Sequence, residues 1–193
     1  MASPSGAIVI ALLPAIVAGA AAAAEETYVF DPVHSQPGFE VRHMIFTTQR
    51  GTFSKLSGKV TLDRAAKTGG IEVTIDTTSL RSYDPRLDNI LKGEGYFNVA
   101  KYPTMMFKAD RLDFDGDKVE GAQGELTMLG TSRPVSLKVS NFSCGENPFN
   151  KRPMCGAEVS TTIKRSEWGM KTGIGRSSSD EVHITIPIEA YRE

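Results

Sequence analysis

The chain has 193 residues, which fits one domain of ordinary size. Its 22 lysine and arginine residues nearly cancel its 23 aspartate and glutamate residues, and no basic patch is visible along the sequence. This balance gives no electrostatic basis for binding nucleic acid, so no nucleic-acid partner is expected.

The first 24 residues differ from the rest of the chain in composition. They carry no charged side chain, have an apolar centre from Ala7 to Val17 and end in a run of alanines. This pattern is typical of a secretory signal with a small-residue cleavage site, although no lysine or arginine precedes the apolar centre. The alternative is an uncleaved membrane anchor. Pro14 argues against it, because a proline inside the segment disfavours a continuous membrane-spanning helix. We expect a signal peptide at residues 1–24, one domain at residues 25–193, and a location in the periplasm or outside the cell.

Two cysteines, Cys144 and Cys155, lie in the exported part of the chain. The segment between them is rich in glycine, proline and asparagine, which is typical of a loop joining two strands. An even number of cysteines in an oxidising compartment predicts one disulfide, with two free thiols as the alternative.

After the signal, apolar residues recur at every second position. Such runs cover residues 39–45, 71–75, 135–139 and 182–188. This is the pattern of strands that bury one face, and Asp115-Gly116 is a strong hairpin signal between two of them. Short strands of this kind predict an antiparallel sheet, either closed into a barrel or stacked as a sandwich.

One segment breaks the period of two. Leu87, Ile90 and Leu91 share one face of a helix. An aspartate, Asp84, fits the N-cap position, and Gly93 fits the position at which the helix stops. We therefore predict a short amphipathic helix that packs on an otherwise all-β fold.

The histidines are too poorly placed to predict a metal or catalytic site. His34 and His43 could supply two ligands, with Asp31 or Glu40 as a third. Glu40 and His43, however, are an odd number of residues apart on one strand and face opposite sides. The third histidine, His183, falls on the polar face of its strand. Since no metalloprotease, nucleophile-elbow or phosphate-loop motif is present either, we predict no metal, no cofactor and no catalytic residue.

His43 lies in an apolar phase, between Val41 and Ile45, and is therefore expected to point inward. Two interpretations remain open. It is either a core histidine hydrogen-bonded to a neighbour or a polar contact inside a ligand cavity.

The segments of the chain resemble, in order, the motifs of the YceI-like family. The matching blocks are YVFDPVHSQPGFEVRH, GTFSKLSGKVTLD, IDTTSL, YFNVAKYPTMMF, GELTMLGTSRPVSLKV and RSEWGM. Together they cover nearly all of the chain after the signal. The resemblance implies an eight-stranded antiparallel, lipocalin-like barrel with a short helix. It also implies a secreted or periplasmic protein that holds a polyisoprenoid or related amphiphilic lipid inside the barrel.

If the barrel holds a lipid, its inward side chains should form the ligand site. The lining is expected from Phe39, Val41, Ile75, Phe107, Leu126, Met128, Leu137, Ile163 and Ile184. Leu87, Leu91, Phe97 and Trp168 are expected to close one end, with His43 as a polar contact. Arg165 matches the family's Arg-Ser-x-aromatic-Gly-Met block. Two roles are open for it, namely an anchor bound to a carboxylate, which we favour, or a contact to the lipid head group.

The leading hypothesis is a non-enzymatic periplasmic carrier or sequestering protein for a polyisoprenoid or quinone-like lipid. One alternative is a structural or stress-response barrel without a lumen. Another is an enzyme that acts on a lipid, with His34 or His43 as general base. The sequence leaves a homodimer open. A hollow interior would distinguish binding from a purely structural role.

Overall fold

The structure is a computed structural model that describes residues 25–193, so the predicted signal peptide lies outside the described residues. The strands are β1 (Glu26–Phe30), β2 (Gly38–His43), β3 (Thr47–Phe53), β4 (Leu56–Asp63), β5 (Thr68–Asp76), β6 (Leu80–Arg81), β7 (Thr104–Asp115), β8 (Lys118–Met128), β9 (Thr131–Glu146), β10 (Pro153–Lys164) and β11 (Ser178–Arg192). One helix, α1 (Pro85–Lys92), lies between β6 and β7. Within residues 25–193, no helix is both long and apolar enough to span a bilayer.

The strands form one closed antiparallel barrel. Around the barrel the order is β1, β4, β5, β7, β8, β9, β10 and β11. The circle closes where β1 pairs with β11, for example at Phe30 and Ala190. This arrangement confirms the predicted all-β fold and the eight-stranded antiparallel barrel.

The remaining three strands lengthen one side of the barrel and add no second layer. β11 pairs with β1 through residues 190–192 and with β2 through residues 178–185, so β1 and β2 run in line along one edge. In the same way, β4 and β3 pair with β1 and β2, and β5 and β6 pair with β4 and β3. Each pair of short strands is therefore one long strand with a break in it.

A buried serine stabilises the break between β1 and β2. Ser35 is completely buried, and its Oγ donates to the carbonyl of Glu189 and accepts from the Glu189 N–H, both at 3.0 Å. The hydroxyl thus satisfies backbone groups of β11 that would otherwise pair with a strand. Residues 31–37 can leave the ladder here without opening the barrel wall.

The helix has the predicted ends. The Asp84 carboxylate accepts the Arg86 N–H as N-cap, Pro85 occupies the first position, and Gly93 follows the last helical residue. Leu87 and Leu91 are half-buried against the barrel, whereas Ile90 is 56% exposed. The helix therefore packs over one end of the barrel with only part of its apolar face.

Two of the predicted turns differ in outcome. Gly116 adopts φ 56° in the turn between β7 and β8, which confirms the predicted hairpin.

The inward orientation predicted for the Ile45 side chain is wrong, because β2 ends at His43 and Ile45 is 79% exposed in the turn that follows. The alternation in sequence continues past the point at which the chain stops pairing.

The predicted disulfide is confirmed. Cys144 and Cys155 are directly opposite each other on β9 and β10, are bonded, and have Cα atoms 4.0 Å apart. The bond closes the loop that joins the two strands at the end of the barrel farthest from α1.

Replacing both cysteines by alanine should lower the free energy of unfolding by about 3 kcal/mol, because a short closed loop no longer restricts the unfolded chain. Urea unfolding of both proteins measures this difference. A reducing agent should destabilise the native chain by a similar amount and leave the double variant unchanged. Equal unfolding midpoints for the native chain with and without reductant would contradict the prediction.

Candidate functional site

The barrel is hollow. A cavity of about 410 Å³ runs through its interior and is lined by residues of α1 and of every strand except β6. This volume falls within the range of sites that bury a small molecule. A barrel filled by its own side chains, the structural alternative, does not fit this interior.

Fourteen of the fifteen residues predicted to form the ligand site line this cavity. They are Phe39, Val41, His43, Ile75, Leu87, Leu91, Phe97, Phe107, Leu126, Met128, Leu137, Ile163, Arg165 and Ile184. Trp168 is the exception. It is 3% exposed, its indole N–H donates to the Leu126 carbonyl at 3.0 Å, and it is not among the lining residues. Trp168 therefore packs against the barrel and does not line the cavity.

The cavity is apolar at the end near the disulfide. Leu62, Leu112, Val119 and Cys155 line it there. None of these side chains offers a strong hydrogen-bond partner, so only hydrocarbon could be held at this end without loss of hydration.

Sequence reasoning also missed lining positions in the middle of the barrel. Val73, Val159 and Ile186 line the cavity although none was predicted as a site residue. Their alternation with polar neighbours was the same signal that selected Ile75, so a complete count of inward phases would have found them.

A cluster of three aromatic rings forms the wall below the helix. The ring centroids of Phe39, Phe53 and Phe97 are 5.3 to 6.0 Å apart, and Phe53 and Phe97 meet edge to face. Phe39 lies across β3 at Gly51, where a Cβ atom would approach the ring to 2.3 Å. Glycine at this position therefore lets the ring lie flat against the wall.

Most polar groups of the cavity are gathered at the opposite end, beside α1, which we call the mouth; Thr161, farther along β10, bonds the Ser136 carbonyl at 2.9 Å. His43, Gln49, Arg50, Arg165 and Ser177 line it there. The half-buried His43 pairs in register with Ser178, and among the described residues its imidazole makes no hydrogen bond. His43 therefore faces the cavity, as the sequence predicted, with its ring nitrogens available to a ligand.

Arg165 is held by backbone oxygens and a hydroxyl. Its side chain is only 3% exposed and donates to the carbonyls of Met170, Thr172 and Ser179 and to Ser178 Oγ, at 2.8 to 3.1 Å. The favoured anchor on a carboxylate is wrong, because the four partners are carbonyls and a hydroxyl from the loop before β11 and from the first two residues of β11. These four bonds leave one of the five guanidinium N–H groups uncommitted at the cavity wall.

A carboxylate does lie near Arg165 without contacting it. Asp180 accepts the Ser166 N–H at 2.9 Å and the Ser166 hydroxyl at 2.7 Å. Burial raises the pKa of Asp180, but these hydrogen bonds and the charge of Arg165 outweigh it and bring the pKa below its usual value. Burial lowers the pKa of Arg165, and Tyr96 and Asp180 act against that effect. An arginine remains charged under such conditions, so the mouth carries a buried positive group.

The other conspicuous group lies outside the barrel, at the break between β1 and β2. His34 Nδ1 is 2.8 Å from Asp31 Oδ2 and 3.6 Å from Glu189 Oε2. Potential ligand atoms of the three side chains lie within 4.8 Å of one another. These three side chains form a hydrogen-bonded cluster on the surface, which holds residues 31–37 against β11. That no metal binds there stays a prediction.

His34 should make stability depend on pH. The hydrogen bond to Asp31, and next the charge of Glu189, raise the pKa of His34 above its ordinary value of 6.5. A raised pKa in the folded state contributes stability at pH below 6.5 that is lost as the pH rises through the folded value. The pKa of Asp31, the hydrogen-bond partner of His34, shifts in the opposite direction. The His34 hydrogen bond lowers the pKa of Asp31 below 3.8, so this contribution disappears only in acid.

We therefore expect the melting temperature of the native chain to fall as the pH rises above about 6.5. In His34→Gln this fall should be absent. Thermal melts across this range measure it. His183→Gln is the matched control, because His183 is exposed and, within residues 25–193, its imidazole forms a hydrogen bond only with the Thr162 hydroxyl, at 3.2 Å. Parallel curves for the native and His34→Gln proteins would contradict the assignment.

The fold and the cavity define a class, that of hollow eight-stranded β-barrels with an apolar interior and a polar mouth. Comparison with known proteins narrows it. Residues 28–190 match the model of the YceI-like domain. Protein YceI of Escherichia coli O157:H7 is 29% identical over 177 residues, which are 91% of each chain. The chain therefore belongs to the YceI-like family.

Solved structures share this fold. The crystal structure of Burkholderia cenocepacia BcnA superposes with a TM-score of 0.69 at 23% identity, covering 83% of this chain and 98% of that one. A polyisoprenoid binding domain from Saccharophagus degradans, implicated in plant cell wall breakdown, superposes with a TM-score of 0.62 at 15% identity. That match covers 86% of this chain and 98% of the domain. At these identities the likeness concerns the fold alone.

Proposed function

We propose that the protein binds a polyisoprenoid or a similar long-chain amphiphilic lipid inside the barrel, and carries or sequesters it in the periplasm. One observation carries the proposal. The cavity is apolar from the disulfide end through the middle of the barrel, apart from the Thr161 hydroxyl, which is bonded to the Ser136 carbonyl, and its other polar side chains lie at the mouth. This division matches a ligand with a long hydrocarbon tail and one polar end.

The tail explains why such a ligand needs a carrier. Each exposed CH₂ group costs about 0.8 kcal/mol in water, so a long chain cannot cross an aqueous compartment alone. A closed barrel removes the chain from water on all sides. The Saccharophagus domain, which has the same fold, is named for binding a polyisoprenoid.

The head group has candidate partners at the mouth. His43 and Gln49 offer side-chain nitrogens there, and Arg165 has one N–H group that its four bonds do not use. A hydroxyl or phosphate at the end of the lipid would accept hydrogen bonds from these groups. We propose that this contact orients the lipid with its tail toward the disulfide.

We further propose a binding protein and not an enzyme. A serine and a histidine do lie side by side at the mouth, at Ser178 and His43. However, Ser178 Oγ accepts a hydrogen bond from Arg165, and among the described residues none joins it to His43. A serine bonded to a buried cation and not to a base lacks the arrangement that activates a nucleophile.

Export is the remaining part of the proposal. The Cys144–Cys155 disulfide is expected to form and persist in an oxidising compartment, in agreement with the signal peptide predicted at residues 1–24. Detection of the chain in the cytoplasmic fraction, with its first residues intact, would contradict a periplasmic role.

Titration of the delipidated protein with isoprenoid alcohols of increasing chain length tests the ligand class. Affinity should rise with each added unit until the cavity is full and then level off, because further units stay in water. Quinones with tails of matched length should compete for the same site. Affinity independent of chain length, or no binding of any member of the series, would refute the proposed function.

His43→Leu should weaken binding of the amphiphile by about 1–3 kcal/mol, because a buried head group loses a hydrogen-bond partner. Calorimetric titration measures the change. Replacing His183, which faces solvent, by leucine is the matched control and should leave the affinity unchanged. If His43→Leu lowers only the melting temperature and keeps the affinity, the histidine orders the mouth without touching the ligand.

A further inference from the structure

The turn between β2 and β3 presents a run of apolar side chains to solvent. Met44, Ile45 and Phe46 are 50%, 79% and 75% exposed. Hairpin turns are normally polar, and three consecutive exposed apolar residues are a fault unless they serve a function. Met44 moreover adopts φ 52°, a left-handed conformation that favours residues without a Cβ atom. The turn therefore exposes a contiguous apolar surface that the fold itself does not cover.

The apolar turn lies at the mouth of the cavity. It directly follows the lining residue His43, and the Met44 N–H donates to the carbonyl of Ser177, which also lines the mouth. On the helix side, Tyr83 and Ile90 are 81% and 56% exposed, and Ile90 also lines the cavity. Five of the nine exposed large apolar side chains in residues 25–193 thus surround one opening.

The mouth is also positively charged, although the whole chain has a net charge of -1. Segments 40–50, 81–97 and 171–176 hold seven lysines and arginines against four aspartates and glutamates. Arg50 and Arg86 are each paired with a carboxylate at 2.7 Å. Arg42 is exposed and donates to the Ile45 carbonyl at 2.8 Å, which holds a cation beside the apolar turn.

We propose that this rim, defined as residues 42–46 with Tyr83 and Ile90, docks the mouth of the barrel on an anionic phospholipid bilayer. Apolar side chains ringed by arginine suit a membrane interface, where the former enter the acyl boundary and the latter meet phosphate groups. In that pose the cavity opens directly into the lipid phase. The inference rests on the proposed function for its purpose, since a lipid could then enter the barrel without crossing water.

The opposite end of the barrel supplies a matched control. Phe149, in the loop between β9 and β10, is 93% exposed. The cations beside it are engaged, because Lys151 lies 3.5 Å from a Glu146 carboxylate oxygen and Arg152 stacks 4.7 Å from the centre of the Tyr191 ring. Phe149 is thus an exposed aromatic residue at the disulfide end of the barrel, far from α1 and the mouth, and its removal should not affect docking.

The test is co-sedimentation of the full mature chain with vesicles of phosphatidylcholine alone or mixed with phosphatidylglycerol. The native protein should bind the mixed vesicles more strongly. Ile45→Ser combined with Phe46→Ser should reduce that binding at least tenfold, and Phe149→Ser should leave it unchanged. The exposed positions make misfolding of these variants unexpected, and thermal melts check that they keep the native melting temperature.

Three results would overturn docking. They are absence of native binding to either vesicle, equal binding by the native and Ile45→Ser/Phe46→Ser proteins, and loss of binding in Phe149→Ser. A fourth result, a native dimer that the double substitution dissociates, would assign the rim to a second copy of the chain and also overturn docking. Affinity for a detergent-dispersed isoprenoid alcohol, measured on the same variants, separates the two proposals. If that affinity is normal while vesicle binding fails, only the docking proposal is refuted. If the protein binds vesicles but has no affinity for the alcohol, the proposed lipid ligand is refuted and the docking proposal is retained.

Discussion

Replacing Arg165 by methionine should lower the free energy of unfolding by about 3–5 kcal/mol. The substitution removes four hydrogen bonds and leaves the carbonyls of Met170, Thr172 and Ser179 without their donor. Met170 and Thr172 belong to the loop between the 3-10 turn Arg165–Trp168 and β11, and Ser179 is the second residue of β11. We therefore also expect amide exchange in residues 170–178 to accelerate more than in the central strands.

Two further variants make the Arg165 prediction specific. Arg165→Lys keeps the charge but cannot reproduce the planar set of donors, so its stability should fall between those of the native and methionine proteins. Arg176→Met, an exposed position in the same loop, should change the free energy of unfolding by less than about 0.5 kcal/mol. Urea unfolding that finds Arg165→Met as stable as the native chain would contradict the role of Arg165 as the anchor of this loop.

The second large effect is expected from filling the cavity. Val159 lies in the middle of β10, opposite Val139 and Ile186 on the neighbouring strands, and all three line the cavity. Val159→Trp should place an indole in the space of the ligand tail. Displacing several methylene groups should weaken binding by about 3 kcal/mol, or roughly 100-fold.

Glu158→Trp is the control for this change. Glu158 is the preceding residue of β10 and is exposed on the outside of the barrel, so the same side chain is added to the opposite face. Its affinity for the lipid should equal that of the native protein. The melting temperature of Val159→Trp should stay close to the native value, because the indole enters empty volume and does not overpack a filled core. Native affinity in Val159→Trp would show that the ligand does not occupy the barrel.

Much of this architecture could be predicted from local pattern. Alternation with a period of two identifies the inward face of a strand because the pleat forces successive side chains to opposite sides. That rule correctly placed Phe107, Leu137 and Ile184 on the cavity wall. The ends of α1 follow equally local rules, since a capping aspartate and a glycine stop act within one turn.

What failed depends on contacts between distant parts of the chain. Ile45 continues the alternation, yet β2 has already turned, because a strand ends where its partner ends and not where its pattern ends. The partners of Arg165 come from a loop without periodicity, so no spacing rule could pair them. Trp168 carries an apolar ring with a polar N–H, and only the tertiary structure shows that this N–H binds the Leu126 carbonyl outside the cavity.

The central claim is that the barrel holds a lipid, and the most direct measurement is mass spectrometry of what the protein retains. The native, Val159→Trp and Glu158→Trp proteins would be purified in parallel without detergent from cells that contain their natural membranes, and extracted with organic solvent. We predict a long-chain isoprenoid-type lipid at near-stoichiometric amount in the native and Glu158→Trp proteins, and its depletion in Val159→Trp. Extracts free of lipid in repeated native preparations, or the same lipid in equal amount in all three proteins, would contradict the account.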